Sequence, residues 1–164
     1  MADDRCYLAA LRILNYRFNS EAELRRKLRS KDYDLETIEA TITRLRDEQW
    51  LDDQRFAGAF VRTRAGKRQG RLRILRELQA AGVDGDTAAS AVAENLDSER
   101  ESDAMRELCA RRARILVRRH GPDYLTTDEG RKKLAGYLLN QGYDAGLVYE
   151  AVKETRVADD QSDS

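Results

Sequence analysis

Leu24-Arg25-Arg26-Lys27-Leu28, followed by Tyr33-Asp34 and then by Ile38 and Ile42, is the stretch that decides the fold. Leucines four apart, a short polar turn, and isoleucines four apart describe two amphipathic helices meeting at Tyr33-Asp34. The same offsets recur twice. Ile74 and Leu78 precede Val83-Asp84, with Ala88 and Val92 following; Leu134 and Leu138 precede Tyr143-Asp144, with Val148 and Val152 following. The copies begin 50 and then 60 residues apart. A supersecondary pattern repeated at this spacing indicates units that bury their apolar faces against their own copies. Such an array offers its surface to an extended partner, which favours binding over catalysis.

The expected fold class is therefore all-α, with three tandem three-helix repeats forming an elongated curved helical array. The repeats are placed at 1–50, 51–97 and 98–155, and residues 156–164, which include Asp159, Asp160 and Asp163, read as a disordered acidic tail. The chain has one proline, Pro122, and no sustained strand alternation. Leu8, Leu11, Ile13 and Leu14 read as the apolar stripe of the first helix. Ser20 with Glu23 has the spacing of a capping box, as do Ser98 with Glu101 and Thr126 with Glu129. Asp34, either Asp84 or Asp86, and Asp144 are natural caps for the last helix of each repeat. Gly82 and Gly142 fall where a left-handed residue ends a helix, and Asp32 holds that place in the first copy. His120-Gly121-Pro122 should end a long helix that starts near Ser98. The last helix of the second repeat, rich in alanine, should pack shallowly.

Several function classes fall away. Lys plus Arg number 30 and Asp plus Glu number 30, so net charge argues for no nucleic-acid partner; only local clustering could. No apolar run approaches the roughly 18 residues of a membrane span, and the acidic N-terminus lacks a signal-type stretch. A cytoplasmic location with no membrane partner is expected. Cys6 and Cys109 read as buried thiols. His120 is the only histidine and sits at a helix end without an acidic partner. No phosphate-loop motif is present, and Gly66-Lys67-Arg68-Gln69-Gly70 reads as a turn between helices. Asp47, Glu48, Asp52 and Asp53 suit capping of the next helix better than a cation. No catalytic residue, cofactor or metal is expected.

The charge is uneven along the chain. Between Arg55 and Gln79 eight basic residues (Arg55, Arg62, Arg64, Lys67, Arg68, Arg71, Arg73 and Arg76) face one acid, Glu77. Between Arg106 and Arg119 six arginines face Glu107. The first repeat adds Arg25, Arg26, Lys27, Arg29 and Lys31. At about 100° per residue, Leu72, Ile74, Leu75 and Leu78 share one arc, with Arg73 and Arg76 opposite and clear of the core. Basic runs on successive repeats suit an anionic or acidic partner, and guanidinium forks suit phosphate or carboxylate. Phe56 and Phe60, the aromatics near the strongest run, look like core, so base stacking is not expected.

Ser20-Glu21-Ala22-Glu23-Leu24-Arg25-Arg26-Lys27-Leu28, Trp50-Leu51-Asp52-Asp53-Gln54-Arg55-Phe56-Ala57, Gly70-Arg71-Leu72-Arg73-Ile74-Leu75-Arg76-Glu77-Leu78 and Gly82-Val83 together resemble the RecX family, regulators of RecA recombinase. The similarity runs over about residues 5–154, and the Leu-Asp-Asp-x-Arg-Phe-Ala stretch is its most specific part. The resemblance implies three tandem three-helix repeats. It also implies binding in the groove of the RecA filament on single-stranded DNA, lowering strand exchange, ATP hydrolysis and coprotease activity, and so modulating recombination, DNA repair and the SOS response. The third repeat departs from the first by a ten-residue insertion around Gly121–Thr127. Arg25, Arg29, Arg64, Lys67, Arg68, Arg71, Arg73, Arg76, Arg111 and Arg118 are the candidate contacts to the RecA filament or its DNA. Asp52, Asp53 and Arg55 are expected to join the first repeat to the second. The expected state is a monomer. The alternative is a free-standing, sequence-nonspecific nucleic-acid-binding helical repeat protein.

Overall fold

The computed structural model describes the backbone of residues 2–160 and the side chains of residues 4–155. It is all-helical, with no strand among the described residues. In chain order the helices are α1 (Ala2–Tyr16), α2 (Glu21–Arg29), α3 (Leu35–Asp47), α4 (Asp53–Gly66), α5 (Arg71–Ala80), α6 (Gly85–Asn95), α7 (Ser98–His120), α8 (Asp128–Asn140) and α9 (Ala145–Asp160). A 3-10 turn, Pro122–Thr126, fills the insertion between α7 and α8. Helix α9 runs five residues into the stretch assigned above to a disordered tail, and residues 161–164 lie outside the described part.

The repeated apolar pattern is the core. Leu24, Leu28, Ile38 and Ile42, then Ile74, Leu78, Ala88 and Val92, then Leu134, Leu138, Val148 and Val152 are all buried, none more than 6% exposed. The turns behave as their residues dictate. Asp34, Asp84 and Asp144 each accept from backbone N–H groups of the helix that follows, so Asp84 rather than Asp86 is the cap. Asp32, Gly82 and Gly142 all have positive φ.

By backbone proximity the chain divides into two compact units, and the division falls inside α4 and α5. One comprises the residues up to Val61 together with Leu75–Asn95; the other comprises Arg62–Ile74 together with the chain from Leu96 on. In the first unit Cys6, Ala10, Leu24, Leu28, Ile38, Ile42, Leu45 and Leu51 form one cluster. Here the reading of α1 needs correction. Leu8 is 52% exposed, and Cys6 and Ala10 are the fully buried positions, with Leu11, Ile13 and Leu14 along the edge. Cys6 and Ala10 are one turn apart and small, so α1 comes close to α3 on that side and the bulkier Leu8, about 200° away, faces water. In the second unit Met105, Cys109, Ala113 and Leu116 of α7 pack with Leu125, Leu134, Leu138, Tyr143, Val148 and Val152.

Each unit contains one version of the same joint. In the first unit the start of α2 meets the turn between α5 and α6. Ser20 Oγ accepts from Glu23 N (3.1 Å) and donates to the Ala81 carbonyl (2.5 Å), while Glu21 N donates to Asp53 Oδ1 (2.9 Å). Gly82 lies against Ala22, where any Cβ on Gly82 would overlap the alanine methyl. In the second unit the start of α5 meets the turn between α8 and α9. Gly70 N donates to the Gln141 carbonyl (2.9 Å), Leu72 N to the Gly142 carbonyl (3.0 Å), and Arg71 N to Glu101 Oε1 (2.8 Å). In both joints a carboxylate from the first turn of a later helix, Asp53 of α4 or Glu101 of α7, satisfies a backbone N–H that the helix itself cannot pair. Asp53 links the start of α2 to α4, whereas Asp52 accepts from the Gln54 and Arg55 N–H groups of α4 itself; burial pushes the Asp53 carboxyl up, and the Glu21 N–H opposes this.

Two capping expectations are corrected by this arrangement. Helix α7 is capped by Asp97, whose carboxylate accepts from Arg100 N at 2.8 Å. Ser98 instead accepts from Arg71 Nη2, and Glu101 turns to Arg71 rather than back along its own helix. Helix α8 is capped by Thr127, which accepts from Gly130 N at 3.0 Å, whereas Thr126 donates to the Asp123 carbonyl within the 3-10 turn.

Candidate partner-binding surface

The ten candidate cations divide between the units. In the second unit they gather around the α4–α5 turn and α7. Gly66 ends α4, Arg68 takes a left-handed conformation (φ 57°), and Gly70 lies against the α8–α9 turn. Tyr143, 1% exposed, fastens this loop from below by donating from its hydroxyl to the Arg68 carbonyl at 2.7 Å. The Arg68 guanidinium reaches Glu107 Oε2 of α7 at 3.0 Å. Lys67 is exposed beside it. Arg111 and Arg118 of α7 are also exposed; one and three turns beyond Glu107, they share its side of the helix with Arg114 and the half-exposed Ile115. None of Lys67, Arg111, Arg114 and Arg118 forms an ion pair with a described residue. Arg64 is half-buried in the last turn of α4.

Arg71 and Arg73 are held within the unit. Arg71 Nε donates to Glu101 Oε2 at 2.7 Å, and that carboxylate is 3% exposed. Arg73, read as clear of the core, is half-buried with its Cβ against Gly142, and its Nη1 reaches Gln141 Oε1 at 3.4 Å. Leu72, placed on the apolar arc, is 45% exposed. The wheel of one helix marks the side facing its own core; α5 has a second neighbour, the α8–α9 turn, on the side where Arg73 lies. In the first unit Arg25 grips Glu39 with Nε (2.5 Å) and Nη2 (3.0 Å), which raises the guanidinium and lowers the carboxyl. Arg29 and Arg76 are exposed.

Burial, reinforced by the Glu101 charge, pushes the Tyr143 phenol up to about 12. A folded value above the ordinary 10 means its contribution is complete below pH 10 and is lost as pH rises towards 12. Tyr143→Phe should cost about 1 kcal/mol near neutral pH, from the hydrogen bond lost at the Arg68 carbonyl. Above pH 10 that gap should close and reverse, because phenylalanine cannot ionise. Parallel urea titrations of the two proteins across this range read the sign directly.

No group of three or more His, Cys, Asp or Glu side chains comes together as metal ligands among the described residues. No described helix is long and apolar enough to cross a membrane. His120 is exposed and stacks on Tyr124, with ring centroids 4.2 Å apart. Cys6 and Cys109 are buried thiols.

Two family models match: the RecX first three-helix domain over residues 6–45 and the RecX second three-helix domain over residues 52–92. Regulatory protein RecX of Xanthomonas citri is 34% identical over 145 residues, spanning 88% of this chain and 83% of that protein. The chain belongs to the RecX family. Regulatory protein RecX of Corynebacterium efficiens is 33% identical over 146 residues, covering 88% of this chain and 69% of its own. Two solved structures share the fold. A crystal structure of a regulatory protein RecX matches with TM-score 0.80 at 23% identity, over 93% of this chain and 72% of that one. The crystal structure of RecX from Lactobacillus salivarius matches with TM-score 0.78 at 24% identity, over 95% and 97%.

The two RecX models correspond to α1–α3 and to α4–α6, and the family is one of regulatory proteins. Sequence reading passed over several groups that the fold brings to the surface. Arg114 and Ile115 complete the exposed side of α7, which the spacing from Arg111 to Arg118 already marks. Phe18 and Trp50, 58% and 52% exposed, line one groove of about 200 Å³ with Leu14, Asn19, Asp52 and Arg55. Phe18 lies outside the basic run near which aromatics are weighed, and Trp50 enters only within the stretch that carries the family resemblance.

Proposed function

We propose that this chain regulates RecA recombinase by binding RecA filaments on single-stranded DNA and lowering their recombinase, ATPase and coprotease activities, and that recombination, DNA repair and the SOS response are modulated through it. Membership of a family of regulatory RecX proteins, at 34% identity over 83% of a relative's length, carries this reading. The exposed cations Lys67, Arg111, Arg114 and Arg118 are suited to phosphate or to acidic protein surface. A third repeat at 98–155, a monomeric state in solution and a cytoplasmic location belong to the same proposal. Inhibition then needs no chemistry of its own. A protein that binds one filament state more tightly than another shifts the filament towards the first.

The exposed arginine side of α7 favours one other reading, a free-standing nonspecific nucleic-acid binder. Anisotropy of labelled protein against RecA filaments and against bare single-stranded DNA separates the two. The regulator should bind filaments at least about tenfold more tightly than bare DNA at moderate salt. Equal affinity for both, falling together and steeply with salt, contradicts it.

A further inference from the structure

We propose that the groove between α8 and α9 docks an acidic protein segment that carries an apolar side chain. The groove has a volume of about 400 Å³. Its apolar lining is Ala135, Gly136, Leu139 and Val152, with Tyr149 beside them. Two packed helices ordinarily fill the seam between them with side chains. Here Ala135 and Gly136 leave it open, and a Cβ added at Gly136 would meet nothing within 4 Å. Tyr149 is 61% exposed at its side. The rim is cationic: Arg131, Lys132 and Lys153. Asp128 is the one acid among the described lining residues, and it is already ion-paired with Arg131. Lys132 and Lys153 are exposed and form no ion pair with a described residue.

The chemistry selects the occupant. Aliphatic carbon in the lining accepts a leucine, methionine or phenylalanine side chain, and the two lysines meet carboxylates on either side of it. Such a segment resembles an amphipathic helix laid into a groove. Nucleic acid could satisfy the lysines, but the lining offers a base edge little to hydrogen-bond and only Tyr149 to stack on. No residue of the α4–α5 turn is among the described residues lining the groove, and the proposal does not depend on the filament reading above.

Fluorescence anisotropy of the full chain with a labelled amphipathic peptide of Leu, Asp and Glu tests this. A version with Lys replacing the acids and an oligothymidylate serve as the other probes. Gly136→Leu fills the groove from an open helical position, and its unfolding midpoint should match or exceed the parent's, so lost binding is not lost folding. The acidic peptide should bind saturably and the basic one should not. Gly136→Leu and the Lys132→Glu/Lys153→Glu pair should each weaken the acidic peptide about tenfold or more, with oligothymidylate unaffected by Gly136→Leu. No saturable binding of the acidic peptide, binding unchanged in Gly136→Leu, or an effect of that variant on the oligonucleotide alone overturns the proposal.

Discussion

Gly142→Ala should destabilise the second compact unit by about 3 kcal/mol or more. Two costs add at this residue. Its φ of 91° is one that alanine adopts only under strain. A Cβ there would also overlap Arg73 Cβ and the Arg73 backbone nitrogen, so neither side can yield by a rotamer change. Gly70→Ala meets the second cost alone. Its Cβ would stand 2.5 Å from the carbonyl carbon and oxygen of Gly142, and relief would break the Gly70–Gln141 and Leu72–Gly142 hydrogen bonds. About 2–3 kcal/mol is expected there. Gly136→Ala is the contrast: an open helical position where alanine should stabilise by up to about 1 kcal/mol. Urea unfolding followed by far-ultraviolet circular dichroism ranks the three. Parent-like stability for Gly142→Ala would mean the two turns do not touch as described.

Glu101→Ala should cost about 3 kcal/mol, through a different mechanism. The Glu101 carboxylate is 3% exposed and serves two donors, the Arg71 backbone N–H and the Arg71 guanidinium. Its removal strands an N–H at the start of α5 and a cation with one side against protein. The guanidinium keeps 38% exposure and can turn partly to water, which holds the loss below that of a fully enclosed pair. Glu101→Gln preserves an acceptor for the N–H and should cost about half as much. Equal losses for the two variants would show that charge, not the backbone contact, carries the effect. A loss under about 0.5 kcal/mol in Glu101→Ala would show that the joint does not hold the unit.

Local pattern carried much of this fold into the sequence. Helices, turns and the twelve core positions were legible because each depends on residues three or four apart. Asp34, Asp84 and Asp144 were legible for the same reason. The misses are non-local or a matter of one residue. Ser98 and Thr126 have cap chemistry, but Asp97 and Thr127 beside them occupy the cap geometry, and Ser98 is drawn to Arg71 instead. Weighing the first helix by its largest residues favoured Leu8, whereas the close approach to α3 is made by Cys6 and Ala10.

The candidate surface was legible as charge, not as geometry. Counting cations found the runs at 55–79 and 106–119, yet could not tell Arg111 from Arg71. Arg71 is spoken for by a carboxylate 30 residues away, and Arg25 by Glu39. The same limit hid the joint, since nothing near Gly70 in the sequence announces the approach of Gly142. The α8–α9 groove was hidden because it is made by what Ala135 and Gly136 lack.

The regulatory proposal is tested most directly by ATP hydrolysis of preformed RecA filaments on single-stranded DNA, titrated with this protein. Inhibition that saturates well below one molecule per RecA protomer is the result expected of a filament regulator. Undiminished hydrolysis at equimolar protein, alongside tight binding to bare DNA, would contradict it.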